Sequence, residues 1–303
     1  MSRRVRDRSW PAAPERLPFG VVDNHTHLDS AAELAAGEDA PTLAAQIERA
    51  AAVGVTRMIQ IGCDLEAARW TDRVVREHPE LLGGVAIHPN EATLFAGARE
   101  VGPDGLTPQA RPEHARGLDA AIREIADLAR GNDRIRVISE TGLDHFRCGP
   151  DGRAAQVTAF RAHLALAKEL GLALQIHDRD AHAEVLEVLA RDGAPERTVF
   201  HCFSGDAEMA RFCAAQGWYL SFAGPITIPN NSALRDALRE VPLTQVLVET
   251  DAPYLTPHPY RGRPNAPYLL PLTVQTVAEV QGIDLETACR ALSATSEDVY
   301  GPW

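Results

Sequence analysis

Two histidines stand two residues apart directly after a short apolar run near the start of the chain. They are His25 and His27, in the stretch VVDNHTHLD at residues 21–29. Side chains at positions i and i+2 of a strand point to the same face, so the two imidazoles could bind one metal ion. Such a pair alone is a weak signal, because it also occurs in solvated turns. Further ligands elsewhere in the chain are needed before a metal site is predicted.

Other short apolar runs also end at residues that can bind metals. Glu140 follows RIRVIS, His177 follows LALQI, His201 follows TVF, and Asp251 comes directly after VLVET. Bringing two carboxylates and four imidazoles together without a cation would leave buried charge poorly compensated, which is costly. The sequence therefore predicts a metal site. Its predicted ligands are His25, His27, Glu140, His177, His201 and Asp251.

The number of ligands indicates two ions rather than one. A catalytic zinc with an open position needs only three protein ligands. Two divalent ions that share a carboxylate fit six ligands better, and Glu140 comes from the middle of the chain, where it could bridge both groups. The one lysine, Lys168, lies in a helical pattern and not after a strand, which excludes a carboxylated lysine as the bridge. The ions are expected to be Mg, Mn or Zn.

The residues between these ligands alternate between strand-like and helix-like patterns. Segments such as 42–53, 120–131, 160–171 and 208–217 repeat apolar residues at helical spacing. Eight apolar runs are predicted strands: residues 21–23, 56–61, 81–87, 135–139, 173–176, 198–200, 218–222 and 245–248. Eight strand-helix units predict an α/β fold, a (β/α)8 TIM barrel, in which the carboxyl ends of the strands meet at one face. An open, doubly wound sheet is the alternative.

Composition sets limits on domains and partners. We predict a loosely ordered N-terminal extension over residues 1–18 and one barrel domain over residues 19–303. The formal net charge of −12 argues against nonspecific adhesion to nucleic acid or anionic membranes, so any phosphate must be held locally. Neither a signal peptide nor a run of ~18 apolar residues is present, so we expect a cytoplasmic protein without a membrane span. Five cysteines without a C-x-x-C pair agree with this location, and no obligate protein partner is evident.

One segment is too long for an ordinary connection between a strand and a helix. Residues 89–117 are rich in proline, glycine and charge and follow a predicted strand. A lid over the site and a surface insertion are both compatible with this composition.

Several motifs together resemble the TatD family of metal-dependent deoxyribonucleases, over residues 21 to about 300. The motifs are DNHTHLD, AIHP, SETGLDHFR, QIHDRDAH, HCFSGD, LSFAGPIT and VETDAPYLTP with YRGRPN. The resemblance implies a (β/α)8 TIM barrel of the metal-dependent hydrolase type, one or two divalent metals, and hydrolysis of DNA phosphodiester bonds, often from a single-stranded end. It also implies the same six ligands that the strand ends indicate.

These observations lead to expected roles in hydrolysis by metal-activated water. Asp251 and Glu140 are the predicted catalytic residues, with Asp251 as proton acceptor. Glu249 is expected to brace the site, although it remains a rival base. His88 could hold phosphate, contact the leaving group, or simply cap the turn before Pro89. The predicted substrate-binding residues are His88, Arg147, Arg179, Arg261 and Arg263.

The substrate is less determined than the metal site. DNA, as single-stranded ends, is the expected substrate. The same metals could instead serve an amidohydrolase-like enzyme that hydrolyses a small-molecule ester, lactone or amide, because fold and metal do not fix the substrate. A non-catalytic barrel is a third hypothesis, disfavoured because all six ligand positions are filled.

Overall fold

The computed structural model describes residues 9–30 and 40–303. Within them, one sheet of eight parallel strands follows the order of the chain. The strands are β1 (Val21–Thr26), β2 (Val55–Gly62), β3 (Leu81–Val85), β4 (Ile135–Asp144), β5 (Ala173–Arg179), β6 (Thr198–Phe200), β7 (Tyr219–Phe222) and β8 (Val246–Val248).

Helices alternate with these strands. They are α1 (Leu43–Ala52), α2 (Leu65–Glu77), α3 (Pro89–Phe95), α4 (Leu118–Gly131), α5 (Pro150–Leu170), α6 (His182–Asp192), α7 (Ala207–Ala215), α8 (Ser232–Arg239), α9 (Leu270–Gln281) and α10 (Leu285–Tyr300). Among the described residues, no helix has both the length and the apolar character needed to span a membrane.

The sheet closes where β1 meets the residues after β8. Asp251 N donates a hydrogen bond of 2.9 Å to His25 O, and His27 N donates one of 2.7 Å to Ala252 O. The predicted (β/α)8 barrel is confirmed, and the alternative of an open sheet is excluded. The residues that close the barrel are also predicted metal ligands or their neighbours, so closure itself brings the two ends of the predicted site together.

Several strand boundaries differ from the prediction. β1, β4 and β5 continue past their apolar runs, so His25, Glu140 and His177 lie inside strands rather than after them. His177 remains paired, with Gly142 of β4. His25 and Glu140 instead lie at irregularities of the register, between Asp23 and Thr26 on β1 and between Ile138 and Thr141 on β4. At the start of β8, the predicted strand residue Gln245 instead ends a 3₁₀ turn, Leu243–Gln245.

The C-terminal helix α10 closes the amino end of the barrel. Val299 and Tyr300 pack with inward-facing apolar residues of the strands, among them Ile59, Ile61 and Val137. Side chains of the barrel interior alternate with outward-facing ones that pack on the helices, as expected for this fold. The amino end is therefore filled by apolar side chains, and the polar residues are concentrated towards the carboxyl end.

Residues 9–18, part of the predicted N-terminal extension, contact the barrel. Leu17 is buried and donates from its main-chain nitrogen to Val53 O at 3.0 Å. Tyr268 Oη donates to Pro11 O at 2.8 Å. The segment is held because its main-chain carbonyls accept hydrogen bonds from the barrel and its apolar side chains, among them Leu17 and Trp10, pack against the core. Residues 1–8 of the predicted extension lie outside the described residues.

The long segment at 89–117 is tied to its neighbours. It contains α3 and the 3₁₀ turn Pro112–Arg116. Arg111 lies 2.8 Å from Asp64 Oδ2 and 2.7 Å from Glu91 Oε2, and Asp104 N donates to Phe146 O at 3.0 Å. These contacts join the segment to the loops after β2 and β4. Its role as a lid stays an open prediction.

A buried histidine on α5 predicts how stability depends on pH. His163 Nε2 accepts from Ile87 N at 3.3 Å, and Nδ1 lies 3.0 Å from Thr141 Oγ1. Burial lowers the pKa of His163 from 6.5 to about 4. Between these values the unfolded chain binds a proton that the folded chain does not, so stability that is fully present above pH 6.5 is lost as the pH falls towards 4.

We therefore expect His163→Gln to remove one component of acid destabilisation. Between pH 7.5 and 4.5, the stability of the parent protein should fall by about 2 to 3 kcal/mol more than that of the variant. Urea unfolding at both pH values in the presence of a chelator measures this difference. Parallel pH dependences for the two proteins would show that His163 is not kept neutral by burial.

Candidate metal centre

Glu140 lies on β4 between two groups of predicted metal ligands. Its Oε2 is 3.5 Å from His25 Nε2. Its Oε1 is 2.8 Å from His201 Nε2 and 2.5 Å from His177 Nδ1. The two carboxylate oxygens thus face different histidines, which is the arrangement expected of a carboxylate shared by two cations.

The first group, which we call site A, consists of His25, His27, Asp251 and Glu140 Oε2. His25 Nε2 and His27 Nε2 are 3.2 Å apart. Asp251 Oδ1 lies 3.3 Å from His27 Nε2 and 3.7 Å from His25 Nε2. Ligand atoms that bind one ion at about 2.1 Å are separated by roughly 3 to 4 Å. The spacing in site A therefore suits a single divalent ion.

The second group, site B, consists of His177, His201 and Glu140 Oε1. His201 stacks on His25 with 4.0 Å between ring centroids, so the two sites adjoin. His88 Nε2 lies 3.5 Å from Glu140 Oε1 and borders site B. The structure thus brings all six predicted ligands together around Glu140. Possible ligand atoms lie within 4.8 Å of one another in the sets His25–His27–Asp251, His25–Glu140–His201 and His88–Glu140–His177. The pairing of His177 with His201 in site B is our assignment.

The histidines of site B are oriented by carboxylates behind them. His201 Nδ1 lies 3.1 Å from Glu249 Oε1, and His177 Nε2 lies 3.1 Å from Asp144 Oδ2. A ring nitrogen that donates its proton to a carboxylate leaves the lone pair of the other nitrogen for a metal. His201 therefore presents Nε2, and His177 presents Nδ1, towards Glu140.

Glu249 is fully committed to this supporting role. Besides His201, its Oε1 accepts from Cys202 N at 2.8 Å, and its Oε2 accepts from Ser221 Oγ at 2.5 Å. The side chain is completely buried. These contacts place Glu249 as a brace behind site B and give it no access to a substrate, so they favour Asp251 over Glu249 as proton acceptor.

The charges of the centre are arranged to accept cations. Burial raises the pKa of Glu140, but the nearby His201, His88 and His177 hold it well below its usual value. Burial lowers the pKa of His27, but Asp251 raises it to about 10, and Glu140 with Asp144 raises that of His177 to about 9. Without metal the carboxylates thus retain protons on His27 and His177. Divalent ions can replace those protons, so the imidazoles and carboxylates of the centre are suitable donors for a metal.

Asp251, a predicted ligand, and Cys202, the neighbour of His201, adopt a left-handed backbone conformation. Asp251 has φ 51°, and Cys202, directly after His201, has φ 41°. Such conformations cost roughly 1 to 3 kcal/mol in residues other than glycine and concentrate at functional sites. At Asp251, the main-chain bond to His25 O holds this conformation.

Comparison with known proteins agrees with this geometry. The family model described as TatD related DNase matches residues 22–301. The chain is 40% identical over 285 residues to the uncharacterized metal-dependent hydrolase TatD of Mycobacterium tuberculosis, with 93% of this chain and 98% of that protein covered. The chain belongs to the TatD family. The resemblance seen in the sequence motifs is confirmed.

Other relatives support the TatD-family assignment. The uncharacterized metal-dependent hydrolase YabD of Bacillus subtilis is 32% identical over 268 residues, which covers 88% of this chain and 93% of that protein. The crystal structure of YJJV, a TatD homologue from Escherichia coli K12, superposes with a TM-score of 0.77 at 23% identity, covering 93% of this chain and 98% of the other. That likeness shows a shared fold. The TatD-family chain is a metal-dependent hydrolase.

Three of the four predicted substrate-binding arginines are exposed after strand ends. Arg147 Nη1 lies 4.0 Å from Asp104 Oδ2, and its side chain is 47% exposed. The Arg179 guanidinium lies 4.2 Å from the centroid of the Phe146 ring. Arg261 is exposed in the loop after β8. Their positions leave the predicted contacts with phosphate open to experiment.

The guanidinium of Arg263 is hydrogen-bonded to the N-terminal segment. Its Nε donates to Ser9 O at 2.9 Å, and its Nη2 donates to Trp10 O at 2.8 Å. Its guanidinium also lies 5.2 Å from the centroid of the Tyr260 ring. The N-terminal segment therefore uses the hydrogen-bonding groups that we predicted for substrate. Arg263 thus anchors that segment, and its contact with phosphate stays a prediction.

Sequence reasoning missed three residues at the centre of the TatD-family site. Asp144 follows Glu140 by four positions on the same strand, and Gln175 precedes His177 by two, so strand periodicity could have indicated both. Cys63 follows β2, and its Sγ lies 3.4 Å from Glu140 Oε2. Burial and the Glu140 carboxylate raise the pKa of this thiol. A cysteine after an apolar run carried no signal that separated it from packing.

Proposed function

We propose that this TatD-family hydrolase is a deoxyribonuclease that cleaves DNA phosphodiester bonds, acting as an exonuclease on single-stranded ends with two divalent ions. The observation that carries the proposal is the position of Glu140, whose two oxygens face site A and site B. Two cations on either side of one carboxylate are typical of enzymes that break phosphoester bonds. The match to the DNase family model supports DNA as the substrate.

His25, His27, Asp251 and Glu140 would hold one ion, and Glu140, His177 and His201 would hold the other. Divalent ions in these sites would lower the pKa of water and neutralise charge that develops on the phosphoryl oxygens. A mixture of imidazoles and carboxylates suits Zn or Mn, and Mg serves many phosphoryl-transfer enzymes. We therefore propose Mg, Mn or Zn as the ions in use.

Asp251 is the proposed proton acceptor. Its side chain is 12% exposed and lies at the open end of the barrel, whereas Glu249 is enclosed behind site B. Burial raises the pKa of Asp251, but its bond to His27 and the nearby imidazoles lower it below 3.8. The carboxylate is thus ionised at neutral pH and can take a proton from the attacking water.

His88 is proposed to donate a hydrogen bond to the substrate. Its Nδ1 accepts from Asn90 N at 3.1 Å, and burial lowers its pKa. A neutral imidazole that accepts at Nδ1 carries its proton on Nε2. Nε2 faces the centre at 3.5 Å from Glu140 Oε1. His88 would therefore serve as a donor to a phosphate oxygen or the leaving oxygen and not as a metal ligand.

Arg179 and Tyr254 are proposed to hold the DNA strand. Arg179 is the last residue of β5, two residues after His177, and its guanidinium could pair with a phosphate of the DNA. Tyr254 is 46% exposed, and its ring centroid lies 5.9 Å from that of His27. Stacking on an exposed aromatic ring tolerates any base, which suits digestion from an end. Phe203, another aromatic residue after a strand end, is buried in the core and is not exposed for such stacking.

The proposal is tested by incubating metal-loaded protein with end-labelled single-stranded and double-stranded DNA. A parallel assay offers esters, lactones and amides. We expect stepwise shortening of the single strand with at least one of Mg, Mn and Zn. Glu140→Ala protein, purified in the same way, controls for contaminating nucleases.

A different result is expected if the substrate is a small-molecule ester, lactone or amide. If none of the three ions supports shortening of DNA while an ester, lactone or amide is turned over, the enzyme is a small-molecule hydrolase. Digestion that is equally fast in the Glu140→Ala preparation would assign the nuclease activity to a contaminant.

A further inference from the structure

Gln175 lies inside the barrel beneath site A. It stands on β5 and is completely buried. Its Oε1 lies 2.9 Å from His25 Nδ1 and accepts from Ser139 Oγ at 2.8 Å. Its Nε2 donates to Asn24 O at 2.8 Å and to Tyr300 Oη at 2.6 Å. Both donors and both acceptor positions of the amide are thus in use.

These contacts fix the orientation of the amide and then that of His25. The main-chain carbonyl of Asn24 can only accept, so the group facing it must be the NH₂ of Gln175. The oxygen of Gln175 must therefore face His25 Nδ1, which has to carry a proton to bond to it. A neutral imidazole with a proton on Nδ1 presents the lone pair of Nε2, and this is the nitrogen that faces Glu140 and His27.

Tyr300 connects this arrangement to the end of the chain. Its ring belongs to the apolar cluster that fills the amino end of the barrel, and it is completely buried. Nearby, Arg197 Nη1 donates to Val299 O at 3.1 Å, and Trp303 Nε1 donates to Glu80 O at 3.1 Å. The C-terminal helix is thus held to residues that precede β6 and β3. The hydroxyl of Tyr300 reaches from this fixed position to Gln175.

We propose that Gln175 is a positioning residue for the site A metal and that Tyr300 holds the Gln175 side chain in place from the amino end of the barrel. Gln175 selects the tautomer and ring orientation in which His25 Nε2 binds the ion, and the C-terminal helix is consequently part of the metal centre. The proposal rests on the metal centre of the proposed function and does not depend on DNA as substrate. Partners behind metal-binding histidines typically contribute about 10- to 100-fold to metal affinity.

The test combines histidine NMR with metal titration of Gln175→Leu. In metal-free protein labelled with ¹⁵N-histidine, long-range ¹H–¹⁵N correlations report which nitrogen of His25 carries the proton. We expect the Nδ1–H form in the parent protein and a mixture of forms in the variant. Titration with Zn²⁺ against a chromophoric chelator should show one of two affinities weakened about 10- to 100-fold, with the other within about twofold.

Two further variants separate positioning from loss of stability. Tyr300→Phe removes one oxygen from the chain of contacts and should weaken the same affinity by several fold. Gln245→Leu removes an amide that bonds Ala214 O and Trp218 O, near the start of β8, and should leave both affinities unchanged. It is the matched control for lost glutamine hydrogen bonds.

The results that would overturn the role of Gln175 differ from the result that would contradict the metal centre itself. If the parent protein binds two ions and Gln175→Leu retains both affinities and the Nδ1–H form of His25, Gln175 has no positioning role. If Gln175→Leu does not fold, unchanged affinities in Tyr300→Phe overturn the link to the C-terminal helix. Absence of metal binding in the parent protein contradicts the proposed metal centre itself.

Discussion

Glu140→Ala should abolish the binding of two ions and lower kcat/KM by about three orders of magnitude or more. The carboxylate contributes one oxygen to each site, so its removal takes a ligand from both at once. Divalent ions supply several kcal/mol of charge stabilisation in the transition state, and each 1.36 kcal/mol is a factor of ten in rate. Elemental analysis of the purified variant and steady-state hydrolysis assays measure the two effects.

Glu140→Gln separates charge from volume in the same experiment. The amide fills the same space but cannot offer two anionic oxygens, so we expect nearly the same loss. Glu208→Ala, an exposed carboxylate on α7, should retain both the metal content and the rate. Two bound ions per chain in Glu140→Ala would show that Glu140 is not the bridge.

Asp251→Asn should lower kcat by about 10²- to 10⁴-fold, the usual contribution of a positioned acid or base. The amide keeps an oxygen beside His27 but loses the charge and basicity that we assign to proton transfer. Site B contains no group from Asp251, so its ion should remain bound. Single-turnover rates at saturating metal, with metal content determined in the same samples, distinguish slower chemistry from lost metal.

Asp180→Asn is the matched control for this substitution. Asp180 has φ 57°, close to the 51° of Asp251, and asparagine is well accepted in this region of backbone conformation. The kcat of Asp180→Asn should change little. A kcat within about tenfold of the parent enzyme in Asp251→Asn, with both ions bound, contradicts the role of Asp251 as proton acceptor.

The fold was predictable because apolar runs and helical spacing repeat eight times along the chain. The ends of the strands were less predictable. His25, Glu140 and His177 looked like residues beyond the strands because they interrupt apolar runs, yet the strands continue past them, with register irregularities at His25 and Glu140. Burial of a polar side chain depends on its partners across the barrel, and a local pattern does not contain those partners.

The meeting of the six predicted ligands was also predictable, because parallel strands bring their carboxyl ends to one face. The supporting residues were not. Tyr300 reaches Gln175 across 125 positions of the chain, and Arg263 meets Ser9 across 254. Such contacts follow from the closure of the barrel and the docking of both chain ends. The spacing of residues within any single element does not indicate them.

The most direct test of the shared carboxylate is anomalous diffraction from crystals of the Mn²⁺-loaded protein. We predict two anomalous peaks per chain on either side of Glu140, one beside His25, His27 and Asp251, and the other beside His177 and His201. A single peak at saturating Mn²⁺, or peaks that Glu140 does not contact, would contradict the assignment of a two-metal centre bridged by Glu140.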